Sequence, residues 1–434
     1  MLNRTEVNRR DFLRLGALAA AGTVPGLRLS HAAPVSHAYF GLHPAIEQNP
    51  KAVFIRRTNV AHKMDGPAKL REGLNLSRQI FVPMDKPGIP LTHRIVLKPN
   101  ATGVYDRTRA AADNWGVGTD PQFYEGMVSG LKELGLKRFD FVESTGYDTW
   151  EIRGFNDVNE RLGVNIGEPQ RRPKHLRDGY AVNWAKVPDG VVFQRIPHYA
   201  PVGEPDTWLL DIAKWKAHAM CLTQSVKNMQ GLVAHPFTQF CGGWKSIQTN
   251  PLVTVDVNPR VEPVVNNFFD RHVKASFTRY DTMDANHGGR LLSPIDQEIW
   301  AHKTCDNLST VWPGLAMIEA IFGRDGDGFN IGQDHMANMV MFGKHPFLLD
   351  VIGLYLGGHE PGNVHLYRIA KERGLSPTFN PWEIQIFEWT DQGPVERKLS
   401  DFARTELKTI YLTRKNEAAL HLVNEPFDYD KHKV

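Results

Sequence analysis

Three runs decide the fold: RIVLKPN at residues 94–100, DPQFYEGMVSGLKELG at 120–135 and RFDFVESTG at 138–146. Arg94–Leu97 is an apolar run of strand length that stops at Lys98-Pro99-Asn100. Asp120 before Pro121 is an N-cap with proline at the first helical position. Phe123–Leu134 keeps helical spacing and Gly135 supplies the stop. Phe139–Val142 is the next strand, and it runs into Glu143-Ser144-Thr145-Gly146. Strand, helix and strand in this order predict an α/β fold, a mainly parallel sheet flanked by helices.

Working outward, helices are expected over Ile152–Leu162, Pro263–Val273, Pro294–Leu308, Pro346–Leu356 and Val364–Arg373. Strands are expected over Ala52–Ile55, Val191–Ile196, Met339–Phe342 and Glu383–Trp389. Trp208–Trp215 fits either a strand or a helix, and Thr223 reads as the N-cap of a helix over Gln224–Gln230. The organisation read from this is an N-terminal segment 1–32, an irregular Pro-rich extension 33–91 and a core of 92–375. The core divides into two α/β lobes, with Pro251–Pro263 as the hinge candidate. A strand and a helical tail fill 376–434.

Residues 1–32 carry Arg9-Arg10, then Phe12-Leu13, then an apolar run Leu15–Val24 and Ser30-His31-Ala32. Twin arginines, a short apolar stretch and a small-residue cleavage site predict a Tat export signal. They imply a periplasmic or secreted protein whose partner during export is the Tat translocase. The whole 434-residue chain has 51 Lys+Arg against 48 Asp+Glu, a net +3. Arg4, Arg9, Arg10, Arg14 and Arg28 against Glu6 and Asp11 place all of that excess in the signal. The remaining chain is neutral, so no basic field marks it for nucleic acid. It contains no stable membrane span after signal cleavage, because no run of eighteen apolar residues occurs. The three cysteines, Cys221, Cys241 and Cys305, include no C-x-x-C, so no iron–sulfur cluster is expected. A Cys221–Cys241 disulfide is one candidate in an oxidising compartment; buried free thiols are the other.

In open α/β sheets ligands bind at the carboxyl ends of the strands. That rule singles out Lys98 and Asn100 after one strand and Glu143, Ser144 and Thr145 after the next. The run KWKAHAMCLTQSVKNMQG at 214–231 holds the densest chemistry. If it begins as a strand, Lys214, Lys216 and His218 share one face, and burying them requires a compensating partner. Lys227 and Asn228 follow on the next helix. His218, Lys227 and Lys216 are therefore the catalytic candidates, with His218 suited to general acid–base work. Lys98, Asn100, Ser144, Thr145 and Asn228 are the substrate-binding candidates. Glu143, Asp327 and Asp350 are the candidate ligands of a divalent metal. The segment 325–335 resembles a calcium loop, but its twelfth place is Met336 rather than Glu. No G-x-S-x-G, Walker A loop, G-x-G-x-x-G or H-E-x-x-H occurs, so the serine hydrolase, P-loop, Rossmann and zincin readings fall away.

HRIVLKPN, FVESTGYDT, KWKAHAMCLTQSVKNMQG and GRDGDGFNIGQDHMANMVMFGKHPFLLDVIGLYLGG, in that order, resemble the domain-of-unknown-function family numbered 362. The likeness covers roughly residues 92–375. It implies the α/β fold and no particular reaction. Some members carry ferredoxin-like clusters, and this chain lacks their cysteines. The order of His218 and Lys227 is also similar to the His and Lys of nickel-pincer lactate racemases, without their Gly-Gly-Arg-Lys-type loop. The function expected is an exported enzyme acting on a small anionic substrate with metal assistance. The alternatives are a non-catalytic periplasmic ligand- or metal-binding protein and an accessory subunit of an exported redox complex.

Overall fold

The computed structural model describes residues 37–85, 87–102, 115–144, 147–167, 181–218, 220–237, 244–266, 281–282, 284–285, 290–291, 294–413 and 420–432. Its main sheet has ten strands. In chain order they are β1 (Val53–Arg57), β2 (Arg94–Pro99), β3 (Arg138–Phe141), β4 (Asn165–Ile166), β5 (Thr207–His218), β6 (Cys221–Thr223), β7 (Leu315–Arg324), β8 (Asp334–Gly343), β9 (Ile386–Thr390) and β10 (Gly393–Arg397). The spatial order is β10-β9-β1-β8-β7-β5-β2-β3-β4, and β6 folds back on β5. The pairs β7–β5, β5–β2, β2–β3, β3–β4 and β9–β1 are parallel. The remaining four pairs are antiparallel, so the sheet is mixed and mostly parallel.

Eight helices matter here: α1 (Gly66–Ile80), α2 (Pro121–Glu133), α3 (Tyr147–Arg153), α4 (Phe155–Leu162), α5 (Ser225–Asn228), α6 (Pro294–Leu308), α7 (Pro346–Leu356) and α8 (His365–Glu372). Alternation along the strands buries both sheet faces. Leu210, Ile212, Ile95 and Leu97 pack with α1, α2 and α4 on one side. Leu209, Ala213, Trp215 and Val96 pack with α6, α7 and α8 on the other. The result is a helix–sheet–helix sandwich, as the strand–helix alternation predicts.

Several expectations need correction. From His37 onward the chain is one compact unit rather than two lobes. The described part of the expected irregular extension, residues 37–85 and 87–91, is not irregular. It supplies α1 and β1, and β1 sits inside the sheet between β8 and β9. Four of the prolines that suggested irregularity fall at first-turn helix positions, Pro44 and Pro67, or in the short strands Phe81–Met84 and Ile89–Pro90, while Pro50 and Pro87 lie in turns. The helix expected over 152–162 is two, broken at left-handed Gly154. The strand expected over 191–196 runs over Arg195–Tyr199. Thr223 ends β6, and Gln224 precedes α5, which is only Ser225–Asn228 before a 3-10 turn at Met229–Leu232. In 376–434 the described residues contain strands and 3-10 turns but no α-helix. Cys221 and Cys305 are free buried thiols, and Cys241 lies outside the described residues.

Candidate functional site

The ends of β2, β3, β5 and β7 share one rim of the sheet, and charged side chains are buried on both faces there. On the α6–α8 face, Lys98 is fully buried. Its Nζ donates to Glu143 Oε2 at 2.8 Å, Asn228 Oδ1 at 3.0 Å and the Pro99 carbonyl at 2.8 Å. Asn228 Nδ2 donates to Asp211 Oδ1 at 2.7 Å and to the Lys98 carbonyl at 3.0 Å. Glu143 Oε1 accepts the Ser144 N–H at 2.8 Å. Gly231 completes the packing, because a Cβ there would collide with Glu143 Oε1 and the Lys98 side chain. Burial pushes Asp211 up to about 7, against the lowering effect of Ser225, Lys98 and Asn228. Among the described residues Asp211 Oδ2 and Asn100 Oδ1 have no hydrogen-bond partner.

The other face carries Lys214. Its register partner across β5–β7 is Glu319, and the two form an ion pair at 2.6 Å with both side chains fully buried. Glu319 Oε2 also accepts the Asp120 N–H at 3.1 Å. Asp120 pairs with buried Lys69 and caps α2 through the N–H groups of Gln122 and Phe123. Each of these cations has a carboxylate, as burial demands.

Lys216 does not. It lies one strand repeat beyond Lys214 on the same face, with 0% exposure. Extra residues in β7 shift the register, so its neighbour there is Arg324 rather than an acid. Its neighbour on β6 is Thr223. Among the described residues no carboxylate comes within ion-pair distance of Lys216. Its Nζ donates to the Gly328 carbonyl at 3.2 Å and stands 3.6 Å from the centroid of the Phe329 ring. Gly328 is required because a Cβ would strike the Ala217 carbonyl. Burial and then the Lys227 ammonium hold the Lys216 amine well below the ordinary lysine range; Asp327 acts the other way. The buried Thr223 hydroxyl has no hydrogen-bond partner among the described residues. His218 closes the strand, 5% exposed, with its ring 5.3 Å from Trp300, 5.8 Å from Phe329 and 6.2 Å from Tyr411. Lys227, on α5, is half-buried.

The predicted residues therefore fall into groups. Lys98, Glu143, Ser144 and Asn228 form one network. Lys216 and His218 share a strand end, and Lys227 acts on Lys216 through its charge. Asn100 is held by its backbone to Ile212 and Thr119. Thr145, Arg9 and Arg10 lie outside the described residues. The three metal-ligand candidates stand apart. Glu143 serves Lys98. Asp327 Oδ1 accepts the N–H groups of Phe329 and Ile331 at 2.6 and 2.9 Å. Asp350 accepts those of Ser225 and Val226 at 2.8 and 3.0 Å. Among the described residues no group of three or more His, Cys, Asp or Glu is placed to hold a metal. Asp211, Glu319 and the close approach of Gly231 were missed by sequence reasoning, and Asp120 was read only as the N-cap that it is, without its Lys69 partner. Asp211 in LLDIAKW and Glu319 in AMIEAIF carried a signal, a lone acid inside an apolar strand.

The sequence model of one family, Domain of unknown function (DUF362), matches residues 95–355. No curated protein and no solved structure matches the chain.

Proposed function

The chain belongs to the DUF362 family, and we propose that it is an exported enzyme acting on a small anionic substrate at the rim where β5 ends. The observation that carries this reading is Lys216, a fully buried amine facing Arg324 and Thr223 with no carboxylate partner among the described residues. A fully buried amine without an acid is costly to charge, and a small anionic ligand drawn in by the neighbouring Lys227 charge would offset that cost. Lys227 supplies a second positive charge. His218, at the end of the same strand, is placed for general acid–base work. The Lys98–Glu143–Asn228–Asp211 network on the opposite face holds β2, β3, β5 and α5 in register beneath the site. The Arg9-Arg10 motif supports export through the Tat translocase.

The test is a thermal-shift and native mass-spectrometry screen of small carboxylates and phosphates on the mature protein, with turnover assayed on whatever binds. A hit that stabilises the wild type and fails to stabilise Lys216→Met supports the reading. Equal stabilisation of both proteins removes Lys216 from the site. Binding without turnover in wild type would favour a ligand-binding protein. For export, replacing Arg9 and Arg10 by Lys should retain the precursor in the cytoplasm.

A further inference from the structure

Lys216 has chemistry that a plain anion anchor does not need. Anchoring a carboxylate is work for a charged ammonium such as that of Lys227; the Arg324 guanidinium is spent on Asp334 at 2.9 Å and on the Phe329 and Gly332 carbonyls. Lys216 is instead enclosed by an aromatic ring, a carbonyl and a hydroxyl. Its Nζ is 3.6 Å from the Phe329 ring centroid and 3.2 Å from the Gly328 oxygen. Thr223 stands opposite in register, its Oγ1 without a partner among the described residues. The ring and the carbonyl favour a charged amine, but full burial with no carboxylate partner among the described residues, beside Arg324 in register, works against the charge. A buried amine held uncharged is the setting in which a lysine acts as a nucleophile toward carbonyl carbon. His218 follows one strand repeat away, about 7 Å along the chain.

We propose that Lys216 forms an imine with a small 2-oxo carboxylate. This deepens, and rests on, the anionic-substrate reading above. The Nζ lone pair attacks the keto carbon, and a C–N bond forms as the carbonyl π pair moves to oxygen. A proton passes from nitrogen to that oxygen, giving a carbinolamine. His218 in its imidazolium form then protonates the hydroxyl, which leaves as water while nitrogen forms the C=N bond. One proton is taken up, one water is released, and no oxidant or reductant is consumed. The substrate's carboxylate lies in the field of Lys227. The Thr223 hydroxyl donates to the oxygen as it gains charge.

The mature protein is incubated with pyruvate and with 2-oxoglutarate in the presence of cyanoborohydride, digested, and mapped by mass spectrometry. A reduced adduct on Lys216, absent from that position in Lys216→Met, is expected. His218→Gln should slow trapping by about 100-fold, the lower range for a lost general acid. Thr223→Val, which removes only the hydroxyl, should slow it less. Keto acids that raise the melting temperature but leave Lys216 unmodified would overturn the imine and leave the anion site standing. Adducts spread over other lysines, equal in wild type and Lys216→Met, would also overturn it. No stabilisation by any carboxylate or phosphate, with no adduct, would overturn both readings.

Discussion

Lys214 and Lys216 are two residues apart, equally buried and on the same sheet face, yet the register gives them opposite fates. Lys214 meets Glu319; Lys216 meets Arg324. Lys214→Met should therefore strand Glu319 and destabilise the protein by about 3–5 kcal/mol, the cost of breaking a buried pair. Lys216→Met strands no carboxylate and should leave stability unchanged or raised, as a buried polar group gives way to an apolar one. Urea denaturation of the two variants checks the contrast, and a loss of stability in both would mean Lys216 is structural. Asp211 gives a pH test. Its carboxyl is held at about 7 in the fold, against about 3.9 in an unfolded chain. The fold thus retains a proton that the unfolded chain has lost between these values. Its stabilising effect is complete below the unfolded value and is lost as pH rises through the folded one. Wild type should lose stability relative to Asp211→Asn across pH 4–7, by at most about 1.4 kcal/mol per unit. A difference that is flat with pH would show that Asp211 titrates normally.

At the scale of elements, the rim depends on short pieces held from a distance. α5 has four residues, too few to persist alone. Its first N–H groups are satisfied by Asp350, which reaches from the N-terminal half of α7. Asp350→Ala should leave those buried donors unpaired, costing about 1–3 kcal/mol. It should also weaken any ligand response that depends on Lys227, because α5 carries both Lys227 and Asn228. Chemical denaturation and the ligand-induced thermal shift read the two effects separately. A variant with full stability and full response would remove Asp350 from the support of the site. The Gly-rich run 325–332 behaves in the same way. Its acids bind its own backbone and the His335 ring, and Gly328 lets its carbonyl reach Lys216. The alternating acids are legible in the sequence as a ligand set; the structure spends them on closing a turn.

Across the whole molecule, the family-matched region is not self-sufficient. It spans 95–355, whereas β1 lies between β8 and β9, and β9 and β10 extend the sheet beyond it. α1 packs against α2 from outside the matched region as well, and Lys69 on α1 neutralises Asp120. A chain cut to residues 92–375 should expose the outer edge of β8 and leave Asp120 without its lysine. It should be insoluble or lack a cooperative unfolding transition, whereas 37–434 should unfold in one step. Circular dichroism on both chains tests this, and a cooperative melt of 92–375 near that of the longer chain would refute it.

The sequence by itself determined the fold class, the strand–helix alternation and the rim on which buried charge collects. Periodicity, caps and apolar runs are local, and each is readable within a few turns. It also placed Lys98, Glu143, Ser144, Asn228, Lys216 and His218 among the residues of interest, because polar groups beside buried strands require a reason. Only the tertiary structure decided which of these charges are paired. Pairing depends on register between β5 and β7, strands whose residues lie about a hundred positions apart in the chain, and on a shift within β7 that no local pattern announces. The same long-range pairing drew residues 53–57 into the sheet and merged two expected lobes into one unit. Lys214 and Lys216 look alike in the sequence, and it is the strand beside them that gives one a carboxylate and sets the other against Arg324.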